Sequence, residues 1–216
     1  MKKIAVSLLA GTLLSTSALA AKYQVTVTNL TRGQTFTPIM VASHSGDVDL
    51  FEPGETASAE LAALAEGGDI VPLSEALKAT GQVADIADSG GLLGPGESVA
   101  IMVDAPNLRH IKISLAAMLI PTNDGFIALE NVRAPKNHRD TAIHHSPVYD
   151  AGSEPNDEIC ANIPGPVCQG EPGSPGAGGE GVVHIHAGIH GIGDLDPAIY
   201  DWRNPAARVT IERMRH

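Results

Sequence analysis

Three acidic residues sit in two turns of this chain: Asp124 in LIPTNDGF, and Asp150 and Glu154 in VYDAGSEPNDE. Each turn follows an apolar, strand-like run. Carboxylates that converge from separate loops are how proteins hold hard cations, and calcium takes six to eight oxygens at about 2.3–2.6 Å. Asp124, Asp150 and Glu154 are therefore candidate calcium ligands, with backbone carbonyls and water to complete the shell. The twelve-residue ligand ladder of an EF-hand is absent. From spacing alone a second reading stays open, because acidic residues are also ordinary turn-formers.

A second set of donors lies further on. His184 and His186 alternate in GVVHIHAGI and so face one side of a strand, about 6–7 Å apart along it. His190 follows among glycines that could fold it back. Two imidazoles at i and i+2 with a third can hold Zn²⁺ or Cu²⁺, and His144 and His145 could join them. The alternative is structural: the imidazoles hydrogen-bond to glycine-rich turns and to Asp194 or Asp201. A metal-dependent oxidoreductase would need these histidines; otherwise the sequence predicts no enzyme. It has no G-x-S-x-G elbow, H-E-x-x-H helix or phosphate-binding glycine loop. Ser114 lies in an apolar strand with no base in evidence, and Trp202 reads as a core or loop anchor.

Short strands must position these groups. Tyr23–Thr28 alternates with period two, and Thr35–Ser43 is a second strand whose Pro38 implies an edge or a bulge. Residues 57–66 and 73–80 are alanine- and leucine-rich and end at glycines, which predicts two short helices. Glu97–Val103 returns to strand. His110–Ile120 alternates at first and is then continuously apolar, as in a buried strand. Asp124-Gly125 then turns the chain into FIALENV, making a hairpin with Asp124 at its tip. Gly181–Ile189 and Ala207–Met214 are further strands. Gly152–Gly181 is rich in Gly, Pro and acidic residues and reads as one long loop. Cys160 and Cys168, the two cysteines of the chain, flank a Pro-Gly turn inside it and are expected to pair.

The bulk properties point to a compartment. Lys2 and Lys3, an apolar run and Ala18-Leu19-Ala20 read as a secretory signal peptide over residues 1–20; the alternative is an uncleaved membrane anchor, for which the apolar run is short of the ~20 residues a span needs. The remaining 196 of 216 residues suffice for one domain with a core, residues 21–216. Export suits a disulfide and implies a secreted or periplasmic protein. No later run is long and apolar enough for membrane insertion. A net charge of −11 disfavours nucleic acid and anionic lipid. The pattern predicts a mainly all-β antiparallel sandwich with long Gly/Pro-rich loops and a short helical insertion at one end.

LIPTNDGF, YDAGSE and the final ARVTIERMR, in this order and spacing, resemble the spondin N-terminal domain, the domain of F-spondin and mindin. The resemblance covers about Leu108 to Arg215, and matches the N-terminal part more loosely. It implies a C2-like sandwich with calcium at one end, held at Asp124, Asp150 and Glu154, and an adhesive role toward an extracellular protein or glycan. The chain departs from the family in carrying Glu154 for an Asp, and Gly125 where the animal domains have an aromatic. Thrombospondin-type repeats do not follow, as expected of a single-domain bacterial member. His184, His186 and His190 lie outside the family pattern.

Overall fold

The computed structural model describes residues 21–105, 110–173 and 178–215; the expected signal peptide lies outside them. Two antiparallel sheets form a sandwich. The smaller sheet has the order β5 (Ser98–Ala105), β1 (Ala21–Asn29), β11 (Ala207–Arg213), β8 (Thr141–Ser146). The larger runs β10 (His184–Ile185), β9 (Val148–Asp150), β7 (Gly125–Arg133), β6 (Lys112–Ile120), β3 (Met40–His44), β4 (Val83–Asp88), with β2 (Thr35–Phe36) also on β6. Between the sheets lie Val25, Val27, Val209 and Ile211 from one side and Ile113, Leu115, Leu119 and Ile127 from the other.

Helices α1 (Ala59–Gly67) and α2 (Val71–Ala79) do not sit at one end of the sandwich as expected. They cover the outer face of the larger sheet, where Leu61, Leu64, Leu73 and Leu77 pack on Met40, Ala42, Ala116 and Phe126. This third layer explains the run of β6. Its odd positions from Ile113 to Leu119 enter the sandwich and Ala116 on the opposite face packs with the helices, and every position from Ile113 to Ile120 is buried. The ends of α1 form as its sequence dictates: Ser58 Oγ accepts from Leu61 N–H, and Gly68 closes the helix in the left-handed region at φ 69°.

Three local expectations change. Thr35–Ser43 is not one strand: Phe36 pairs with Leu119 and Met40 with Ala116, so the chain gains one residue on β6 around Pro38. That is the bulge a proline without an N–H imposes. Gly181–Ile189 contracts to His184–Ile185, flanked by Gly181 and Gly188 at φ 85° and 97°. Strands β4 and β8 carry weak alternation because both are half-exposed edges, and periodicity missed them.

Among its described residues the long loop holds a 3₁₀ turn at Cys160–Asn162 and the expected Cys160–Cys168 disulfide. Replacing both cysteines with serine should lower unfolding free energy by about 2–3 kcal/mol, the chain-entropy value for so short a loop. Urea denaturation with and without reductant measures this, and reductant should move the wild type alone.

Candidate functional site

The turn between β6 and β7 is residues 121–124. Thr122 Oγ accepts from Gly125 N–H at 3.0 Å and donates to Leu119 O at 2.7 Å, which closes it tightly. Gly125 opens β7 opposite Asp150 on β9. Asp124 and Asp150 therefore end two adjacent strands, and both are fully buried. Beyond Asp150 the chain bends at Gly152, where φ is 66° and a Cβ would lie 2.4 Å from Val182 O; only glycine fits there.

The bend folds the 150s loop onto Asp124. Asp124 Oδ2 accepts from the N–H of Ser153 at 2.8 Å, the N–H of Glu154 at 3.0 Å and Ser153 Oγ at 3.2 Å. Asp124 Oδ1 is buried with no hydrogen-bond partner among the described residues. Asp150 Oδ1 accepts from Gly152 N–H at 2.8 Å and Oδ2 from Asn156 Nδ2 at 2.6 Å. Among the described residues no Lys or Arg forms an ion pair with either aspartate. Burial, and then the neighbouring Asp150 charge, push the Asp124 carboxyl up to about 7 against the pull of its hydrogen bonds.

Glu154 is buried and joins the group through its backbone; its carboxylate reaches toward Gly173. Among the described residues no three His, Cys, Asp or Glu side chains stand in metal-holding geometry as they lie.

The two donor sets that the sequence presents separately meet at Asp150. β10 pairs with β9 so that His184 lies opposite Asp150. His184 Nδ1 is 3.8 Å from Asp150 Oδ1, and His186 Nε2 is 3.9 Å from Oδ2. His186 is buried against Trp202, with ring centroids 5.0 Å apart, which seats Trp202 in the core as expected. Burial first, and then nearby His184, lower the His186 pKa to about 4. A Cβ on Gly125 would lie 3.1 Å from His186 Cδ2. The imidazole thus occupies the space beside position 125, where the resemblance implies an aromatic. His190 is exposed and is tied in by its backbone. His144 and His145 lie on β8 in the other sheet.

The hydrogen bonds define what the imidazoles can do. A backbone N–H only donates, and Gly188 N–H points at His186 Nδ1 at 2.9 Å. The neutral ring therefore carries its proton on Nε2, facing Asp150. A carbonyl only accepts, and His184 Nδ1 lies 3.0 Å from Val182 O, so His184 Nδ1 is also protonated. Each nitrogen near Asp150 is then an N–H donor rather than a metal-ligating lone pair. The expected bond of histidine to a glycine-rich turn is present in Gly188. Asp194 and Asp201 accept instead from the backbone N–H groups of Cys160 and Ile189.

Sequence reasoning missed the residues that brace this end. Asn123 Oδ1 accepts from Glu158 N–H, and its amide donates to Asp157. Glu158, buried and at φ 57°, accepts from the N–H groups of His190, Gly191 and Ile192 at 2.5, 2.7 and 3.0 Å. The density of Asn, Asp and Glu in SEPNDE was the available signal. Ser114 also gains a base that the sequence did not reveal. His44 Nε2 lies 2.9 Å from Ser114 Oγ, while His44 Nδ1 bonds Gly46 O and Ser114 Oγ accepts from Asn131 N–H. Both side chains are fully buried with their bonds satisfied, so the pair is structural.

The sequence profile of the Spondin_N family matches residues 20–156, well over half of the chain. No match to a curated protein was found. The matched stretch holds the whole N-terminal half and all three acidic candidates. It ends before the disulfide, before His184, His186 and His190, and before β11, so ARVTIERMR falls outside it. Among the described residues no helix is long and apolar enough to cross a membrane, and the disulfide suits an oxidising compartment. With the mostly antiparallel β-sandwich, this match establishes that the chain belongs to the spondin N-terminal domain family, a family of extracellular binding domains.

Proposed function

We propose that this protein is an exported, calcium-binding adhesion domain, cleaved after Ala20, in which one calcium ion at Asp124 and Asp150 orders the loops at one end of the sandwich. Glu154, backbone carbonyls and water complete the shell. The observation that carries the reading is a pair of adjacent, fully buried carboxylates with no Lys or Arg ion pair among the described residues, one of them with an unpartnered oxygen. Two buried like charges repel, and a divalent cation offsets both at once. All donors in this arrangement are hard oxygens, as calcium requires.

The ordered end would present the 121–124, 150–158 and 190–194 segments to an extracellular protein or glycan. Copper or zinc at His184, His186 and His190 has less support, because the Asp150-facing nitrogens of His184 and His186 carry protons and His190 is held through its backbone. Elemental analysis of the mature protein, purified without a histidine tag, tests the assignment. One calcium per chain is expected after dialysis against micromolar calcium. No calcium, together with a null calcium titration by calorimetry, overturns it.

A further inference from the structure

The imidazole of His186 is the most heavily constrained group near the acidic pair that has no assigned role. It is 6% exposed, its ring lies edge-on to Trp202, and Gly188 N–H occupies Nδ1. Its Nε2 is buried with no hydrogen-bond partner among the described residues. A buried donor left unpaired costs about 1–3 kcal/mol, so a fold that keeps one in so fixed an orientation needs an account. Nε2 lies 3.9 Å from Asp150 Oδ2, a few tenths of an ångström to an ångström beyond hydrogen-bond range. On the other oxygen, His184 Nδ1–H stands at 3.8 Å. Two imidazole N–H groups thus flank one carboxylate, one on each side.

We infer that His186 is a positioning residue for the cation site: its Nε2–H is the outer donor that fixes Asp150 Oδ2 when the carboxylate turns to grip the ion, and it is not itself a ligand. His184 plays the same part more weakly, since its N–H is shared with Val182 O and its side chain is 39% exposed. The inference rests on the calcium reading. Metal-ligating carboxylates are commonly held by such outer hydrogen bonds, and losing one typically costs 10–100-fold in metal affinity. Because the imidazoles donate, the centre stays an all-oxygen site and belongs with calcium rather than zinc.

Calorimetric calcium titrations of the mature protein and of two variants test this. His186→Phe keeps the ring packing on Trp202 and removes the donor; calcium affinity should fall tenfold or more. His186→Gln places an amide N–H near the Nε2 position and should recover most of that loss. Calcium affinity unchanged in H186F, or equally weak in H186F and H186Q, overturns the inference. So does zinc binding at one per chain that H186F abolishes, which would make the imidazole a ligand. A wild type that binds no calcium overturns the calcium reading itself, and the inference with it. Should H186F fail to fold, nitrogen-15 NMR of the wild-type imidazole decides. A proton retained on Nε2 and shifted downfield by calcium supports the donor role, and its loss on calcium addition refutes it.

Discussion

Calcium should raise the melting temperature of the mature protein by about 10 °C, and Asp150→Ala should abolish the rise. A ligand that binds only the folded state stabilises it by RT ln(1 + [L]/Kd), about 4 kcal/mol at a thousandfold excess over Kd. For a domain of this length each kcal/mol moves the midpoint by about 2–4 °C. Asp150 is the right residue to remove because both candidate donor sets face it and it raises the Asp124 pKa. Without calcium, Asp150→Ala should cost less than deletion of a buried ion-pair partner, since it leaves Asp124 without a like-charged neighbour. Scanning calorimetry in calcium and in chelator, on both proteins, gives four midpoints. Equal midpoints for the wild type in the two buffers would remove the basis for a structural ion.

Without calcium, Asp124→Asn should make stability rise with pH, where the wild type changes little. Asp124, held at about 7 against an ordinary 3.8, keeps a proton in the fold that the unfolded chain has lost. Its contribution therefore declines as pH rises from 3.8 toward 7. His186, lowered to about 4 from 6.5, runs the opposite way. The unfolded chain binds that proton more readily, so the contribution is whole above pH 6.5 and is lost as pH falls toward 4. Between pH 4 and 6.5 the two slopes oppose each other. Removing the Asp124 titration leaves His186 alone, worth about 3 kcal/mol across that window. Urea denaturation at several pH values in chelator measures it. A variant that tracks the wild type at every pH would mean that Asp124 does not hold its proton in the fold. Saturating calcium should reduce the difference, because the bound ion keeps Asp124 ionised.

The brace around Asn123 and Glu158 gives these effects their reach. Asp124 is joined to the 150s loop by three hydrogen bonds on one oxygen, and Asn123 beside it holds Asp157 and Glu158. Glu158 in turn holds the chain at 190–192. An ion that stiffens Asp124 and Asp150 therefore acts on a connected set of loops, and the 190–192 segment belongs to it although it lies far from Asp124 in sequence.

The sequence alone determined the all-β class, the two helices, the β6–β7 hairpin with Asp124 in its turn, the disulfide and the family. Each of these rests on local chemistry: period-two alternation, glycine at helix ends, a turn after Pro121, a close cysteine pair, and motifs in a fixed order. Tertiary structure decided the remainder. The edges β4 and β8 form against partners that their weak alternation does not reveal, and the helices find the outer face of the larger sheet only once that sheet exists. Above all, the carboxylates and the histidines read along the chain as two rival sites. Strand pairing sets His184 opposite Asp150, and a single N–H from Gly188 fixes the proton on His186. Which residues face each other across strands depends on contacts between distant segments, and which nitrogen carries a proton depends on how the folded chain sets Val182 O and Gly188 N–H against the rings. No spacing within one segment encodes them.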